Sequence, residues 1–197
     1  MGAWIRMVPV AEAIGPLKQA YDKVKTPHGT VDNVMRVHSL RPHTMEGHVA
    51  LYRSVLHHVD NKLPLWFLEC VAVTTSLVNR CDYSFAHHWT NARNLLGDER
   101  RADQILKALR AGAPERAFTG KELALIEYAQ TLTRAPGEIT RAVVDACRAE
   151  GADDGEILEV NQVCAYFNYS NRVLNGLGVD TEGDTVGYYS DKKDGSN

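Results

Sequence analysis

The stretch PLWFLECVAVTTSLVNRCDYSFAHHWTNARNLLG, residues 64–97, decides how the rest of the chain is read. From Leu65 to Val78 it is apolar on nearly every side, with Glu69 as its one charge, and from Asp82 onward apolar residues recur three and four apart until Gly97 stops the pattern. This spacing predicts two helices, Pro64 to about Asn79 and Asp82 to about Leu96, folded into a hairpin by a turn at Arg80-Cys81. Helical spacing continues outward on both sides, so the fold class expected is all-α. On the N-terminal side, helices are expected from Pro16 to about Lys25, from a start at Asp32 whose side chain can cap VMRVHSL, and from Pro42 through Leu56. On the C-terminal side come DERRADQILKALRAG, then Thr119 to about Arg134, Glu138 to Glu150, and Asp153 to about Leu177, giving about nine helices, two of them short.

Within the hairpin, the steps Cys81 to Ser84 and Ser84 to His88 are three and four residues, which places the three side chains on one stripe of a helix, close enough to exchange hydrogen bonds. His87 points about 100° away from His88. Cys81 stands at a helix start, where unpaired N–H groups and the dipole favour a thiolate. Glu69 falls about 16 Å and His88 about 10 Å below the turn at 1.5 Å per residue, an offset long side chains can span. A carboxylate in so apolar a helix needs a partner, and His88 is the candidate. Together they read as a proton relay able to serve a neighbouring thiol, hydroxyl, water or substrate.

At 197 residues, the chain fits one domain with a sizeable core, and 44% hydrophobic and 24% charged residues are ordinary values. A net charge of -3 offers no basic field, so nucleic acid is not expected as a partner. Four cysteines without Cys-x-x-Cys or regular spacing fit reduced thiols in the cytoplasm. No signal segment and no membrane span are expected; Gly2 is not a myristoylation start because Arg6 stands where Ser or Thr is needed. A Ser–His–Glu hydrolase triad lacks its Gly-x-Ser-x-Gly elbow, and a zinc site from Glu69, Cys81, His87 and His88 is disfavoured because adjacent histidines diverge, so neither metal nor cofactor is expected. Tyr83 and His87 are candidates for the border of a substrate pocket. His28, His38, His43, His48, His57 and His58 are read as surface or capping residues, and Asn168, Tyr169, Asn171 and Arg172 as packing or subunit contacts. Residues 181–197, rich in Asp, Gly, Ser and Lys with Tyr188 and Tyr189 as the large side chains, are expected to form a mobile or subunit-wrapping tail after a domain spanning residues 1–180.

The same residues resemble the carboxymuconolactone decarboxylase/AhpD-like superfamily, and within it the peroxidase-related, alkylhydroperoxidase-like branch. That signature is a glutamate, an eleven-residue gap, then Cys-x-x-Cys-x-x-x-His, matched here by Glu69, Cys81 and His88. VDNVMRVHSL, RPHTMEGHVALYRSVL and AYFNYSNRVLNGLGV extend the likeness over roughly residues 5 to 179. The resemblance implies an AhpD-like helical bundle, a homo-oligomer (dimer, trimer or hexamer), and reduction of hydroperoxides with a thiol or dihydrolipoyl-type reductant, in which the second cysteine attacks the peroxide and the first closes a disulfide. Ser84 occupies that second position, so this disulfide cannot form, and a peroxidase cycle would begin at Cys81. An engineered replacement, a one-cysteine peroxidase and a branch using other chemistry are each compatible with Ser84. The decarboxylases of the superfamily supply the alternative: a lyase or isomerase using Glu69 and His88 as acid and base on a small organic acid.

Overall fold

The computed structural model describes residues 2–188; Tyr189 and the rest of the sequence beyond it lie outside the described residues. Nine α-helices follow in order among the described residues: α1 (Gly15–Lys23), α2 (Asn33–Arg36), α3 (Pro42–Leu56), α4 (Leu65–Val78), α5 (Asp82–Leu96), α6 (Glu99–Arg110), α7 (Gly120–Arg134), α8 (Arg141–Ala149) and α9 (Asp154–Leu177). None is long and apolar enough to cross a membrane.

The all-round apolar character of α4 sets the architecture. A helix without a polar face must be covered on all sides, and every residue from Phe67 to Ser76 is buried, with α5, α7 and α9 packed around it. Phe67, Leu68, Val71 and Val73 at its centre are each worth roughly 1.5–3 kcal/mol of burial. α9 runs the length of the bundle and starts with a reciprocal capping box, the Asp153 side chain accepting from the Glu156 N–H while the Glu156 side chain accepts from the Asp153 N–H.

The α4–α5 turn is closed by backbone geometry. The Cys81 N–H donates to the Ser76 carbonyl at 2.9 Å and the Arg80 N–H to the Leu77 carbonyl at 3.1 Å, the paired bonds of a Schellman stop. Arg80 takes the left-handed position with φ 53°, where glycine is usual, and α5 ends at Gly97 with φ 65°.

Two expectations need correcting, and the described part of the C-terminal segment adds an observation. Asp32 precedes α2 but makes no capping bond; its carboxylate accepts from the Tyr188 hydroxyl at 2.7 Å. The helix expected from Glu138 begins at Arg141, because a 3-10 turn at Pro136–Glu138 and extended Ile139 intervene. Residues 181–188 lie on the chain's own body: the Asp184 carboxylate accepts from the Asn33 N–H at 3.0 Å and from the Tyr83 hydroxyl at 2.6 Å, and the Asn33 amide donates to the carbonyls of Asp180 and Glu182. Polar composition had suggested that this segment buries little, yet its fixing groups are themselves polar.

Candidate active site

The hairpin brings Glu69 of α4 against His88 of α5. Glu69 is wholly buried, and its Oε2 lies 2.6 Å from His88 Nδ1 while its Oε1 accepts from Asn91 Nδ2 at 3.1 Å. Both carboxylate oxygens are thus satisfied, which is what a charge at that depth requires. With Nδ1 engaged, Nε2 is the His88 nitrogen left for the cavity it borders. The rings of Phe167 and Tyr52 stand edge-on to His88, with centroids 4.5 and 6.4 Å away.

Ser84 also borders that cavity, but its bond runs off the expected stripe. Ser84 Oγ meets Ser76 Oγ of α4 at 2.9 Å, and Ser76 in turn reaches the Ala72 carbonyl and the Asn171 amide. A hydroxyl has one proton, so if Ser76 gives its own to Ala72, Ser84 must donate to Ser76. The expected exchange along the stripe is replaced by a chain through α4.

Cys81 does not line this cavity. It is 1% exposed in an apolar cluster with Ala3, Val37, Tyr83, Leu174 and Val179, and faces a separate groove beside Arg80 and Arg110. Its helix-start position is as expected, yet burial pushes the thiol up to about 11, the opposing pull of the Ser84 and Tyr83 backbone N–H groups being smaller. The expectation of a favoured thiolate is therefore corrected: desolvation outweighs the helix terminus. Cys70, adjacent to Glu69 in sequence, is also buried and shifted upward, by desolvation first and then by the Glu69 charge.

Tyr83 and His87 both border the cavity, stacked on each other with centroids 4.6 Å apart. Residues with no assigned role border it as well. His48, read as a surface or capping residue, is 2% exposed and its Nε2 lies 2.9 Å from the Tyr166 hydroxyl; Asn91, Tyr52, Tyr166 and Tyr188 complete much of the wall. Two signals pointed to the missed residues. His48 shares the helical stripe of Met45, Tyr52 and Val55, and Asn91 lies three residues beyond His88 on the same face.

The cavity holds about 30 Å³, and among the described residues no lysine or arginine borders it. Burial, then the neighbouring His38, lowers His48 to about 3, while burial, then His88, lowers His87 to about 4, so both are neutral imidazoles at physiological pH. The described walls offer hydrogen bonds to a small polar molecule and no permanent cation to an anion. Among the described residues, no group of three His, Cys, Asp or Glu side chains is placed to hold a metal ion.

An all-helical bundle built on this buried hairpin is the AhpD-like fold. The chain superimposes on the alkylhydroperoxidase AhpD core of an uncharacterised peroxidase-related protein from Ralstonia eutropha JMP134 with a TM-score of 0.79 and 22% identity, covering 92% of this chain and 93% of that one. A peroxidase-related protein from Silicibacter sp. TM1040 gives 0.78 and 22% over 93% and 95%. The debrominase Bmp8, also solved in complex with 2,3,4-tribromopyrrole, gives 0.71 and 14% over 93% and 92%. Comparison with protein-family models gives no match, and comparison with curated proteins gives none either.

Proposed function

We propose that the chain is an AhpD-like enzyme of acid–base chemistry, which moves a proton on a small uncharged substrate through His88 oriented by Glu69. One observation carries this reading: His88, bonded to buried Glu69, borders the cavity, whereas Cys81 lies outside its walls. His88 Nε2 would accept a proton from a carbon beside a carbonyl, or from a hydroxyl, and return it to another atom of the same molecule as the double bond shifts, the net change being an isomerisation. Glu69 holds the imidazole and balances its positive form, and Asn91 holds Glu69. A neutral carbonyl compound fits the cavity better than the expected small organic acid, because among the described residues no lysine or arginine borders it. A fold shared with a debrominase supports chemistry outside peroxide reduction.

Hydroperoxide reduction is the second reading, favoured by the spacing of Glu69, Cys81 and His88 and by the peroxidase-related neighbours. There the Cys81 thiolate would take the terminal peroxide oxygen to become a sulfenic acid, releasing alcohol or water, and two external thiol equivalents would restore it as their disulfide and water.

Two assays separate the readings: proton–deuterium exchange beside the carbonyl of small neutral lactones and ketones, followed by NMR, and consumption of tert-butyl hydroperoxide with dithiothreitol. Acid–base chemistry gives exchange that falls about 100-fold or more in His88→Gln and Glu69→Gln and stays within about threefold in Cys81→Ala. Peroxide turnover that disappears in Cys81→Ala, with no exchange, replaces the first reading by the second.

A further inference from the structure

The cavity is partly open, and its space of about 30 Å³ has room for about two waters, so an organic substrate larger than that is accommodated by displacing a wall. Beside the cavity lies a groove of about 150 Å³ bordered by Lys25, Thr26, Pro27 and Arg53, and it faces solvent, since Lys25, Pro27 and Arg53 are exposed. Met35, Tyr52 and Tyr188 border both spaces and together form the partition. Met35 belongs to α2 and Tyr52 to α3, whereas Tyr188 is carried on a segment without regular secondary structure. The partition therefore has one member not fixed by a helix.

That segment is seated by specific contacts. The Tyr188 hydroxyl donates to Asp32 Oδ2 at 2.7 Å, and the Tyr188 N–H donates to Asn91 Oδ1 at 2.8 Å. Gly187, at φ 83°, lies so close to α5 that a side-chain carbon there would come within 2.5 Å of Thr90 Cγ2. Asn91 joins the seating to the catalytic pair: its carbonyl oxygen takes the Tyr188 N–H while its NH2 donates to Glu69 Oε1. The Tyr188 bond commits the carbonyl face of the amide to the segment, so the NH2 is turned toward Glu69.

We propose that Tyr188 is the size-selecting gate of the cavity: substrate enters from the Lys25–Arg53 groove by displacing its ring, and reseating of the segment returns Asn91 to Glu69. This rests on the cavity being the active site. Molecules too large to let the ring reseat are excluded from a closed site, while small ones are enclosed away from water.

The gate is measured without turnover, so its failure is distinct from failure of the acid–base reading, which leaves the labelling result unchanged. Ser84→Cys in a Cys81→Ala background places a thiol on the cavity wall with no neighbour to pair with it, and site-resolved mass spectrometry follows its alkylation by iodoacetamide and by the bulkier N-phenylmaleimide. With Tyr188 present, the introduced thiol reacts slowly and discriminates against the larger reagent about tenfold or more beyond a small-thiol control. Adding Tyr188→Ala accelerates it at least tenfold and removes the discrimination, with Cys70, Cys147 and Cys164 still protected. An introduced thiol that reacts as fast as the control, or is indifferent to Tyr188→Ala, overturns the gate. Should Tyr188→Ala expose the native cysteines too, Tyr188→Phe keeps the ring and removes its bond to Asp32; a rate at the introduced thiol about threefold higher supports the gate, and an unchanged rate overturns it.

Discussion

At the scale of single residues, the site is a contrast between polar groups that are paired and polar groups that are kept neutral. Glu69 is held by two donors, whereas His48 and His87 are driven toward the uncharged form by burial. The sign of their effect on stability follows. Both histidines bind a proton near pH 6.5 in the unfolded chain but only at about 3 and 4 in the folded one, so they favour folding fully above pH 6.5 and progressively less as pH falls below it. Asp32, raised to about 6 mainly by burial, acts the other way between pH 6 and 3.8. His38 and His57, also lowered by burial, add to the loss, and Asp184 and Glu122, also raised by burial, offset part of it, so more groups exclude a proton than retain one and stability falls as pH falls. Urea unfolding at pH 7 and pH 5 should therefore show a loss of about 1 kcal/mol or more at the lower pH, and the loss should shrink in His48→Gln and His87→Gln; a pH dependence unchanged in both variants contradicts neutral buried histidines. Glu69, Cys81, Ser84 and His88 were visible in the sequence because helical spacing and an isolated charge mark them. The thiol's isolation from the cavity was not visible, because which side of a hairpin turn a helix-start residue faces depends on Leu174 and Val179, some ninety residues away.

At the scale of elements, the helices were legible because each one presents an apolar stripe and an explicit stop, and α4 was legible as the central helix because it has no polar face. The start of α8 was not, since Pro136–Glu138 can open a helix or a 3-10 turn with equal local sense. At the hairpin stop, local sequence and backbone disagree: Arg80 holds a left-handed conformation that costs an L-residue about 1–2 kcal/mol, against roughly 1 kcal/mol of added chain entropy for glycine. Arg80→Gly should thus leave stability unchanged or raise it by up to about 1 kcal/mol, and Arg80→Val should lower it by about 1 kcal/mol or more. Denaturant midpoints of the two variants provide the check, and a loss in the glycine variant of more than 1 kcal/mol would mean that the Arg80 side chain itself stabilises the turn.

At the scale of the whole molecule, residues from both ends of the described chain meet over the hairpin. The Tyr83 hydroxyl accepts from the Val34 N–H at 3.1 Å and donates to Asp184 at 2.6 Å, and the Asn33 N–H shares the same carboxylate. Asp184→Ala leaves the Asn33 N–H and the Tyr83 hydroxyl without this acceptor and should cost about 2–3 kcal/mol locally. Hydrogen exchange is the suitable readout: amides of residues 180–188 should exchange at least tenfold faster, with those of α4 unaffected. Protection of the segment unchanged in this variant would assign its seating to Asp180 and Tyr188 instead. None of this was legible in the sequence, because the partners are separated by about 100 to 150 residues and each is an ordinary polar side chain in its own neighbourhood.

The carbonyl of Asn91 that receives the Tyr188 N–H also has a consequence for the order in which the protein becomes competent. Synthesis delivers the hairpin and all nine helices before residues 180–188 emerge, so the buried relay can form on the nascent chain while its cavity is still unwalled. Closure of the cavity by Tyr188 would then come after folding of the helical body, as the last of its walls to arrive.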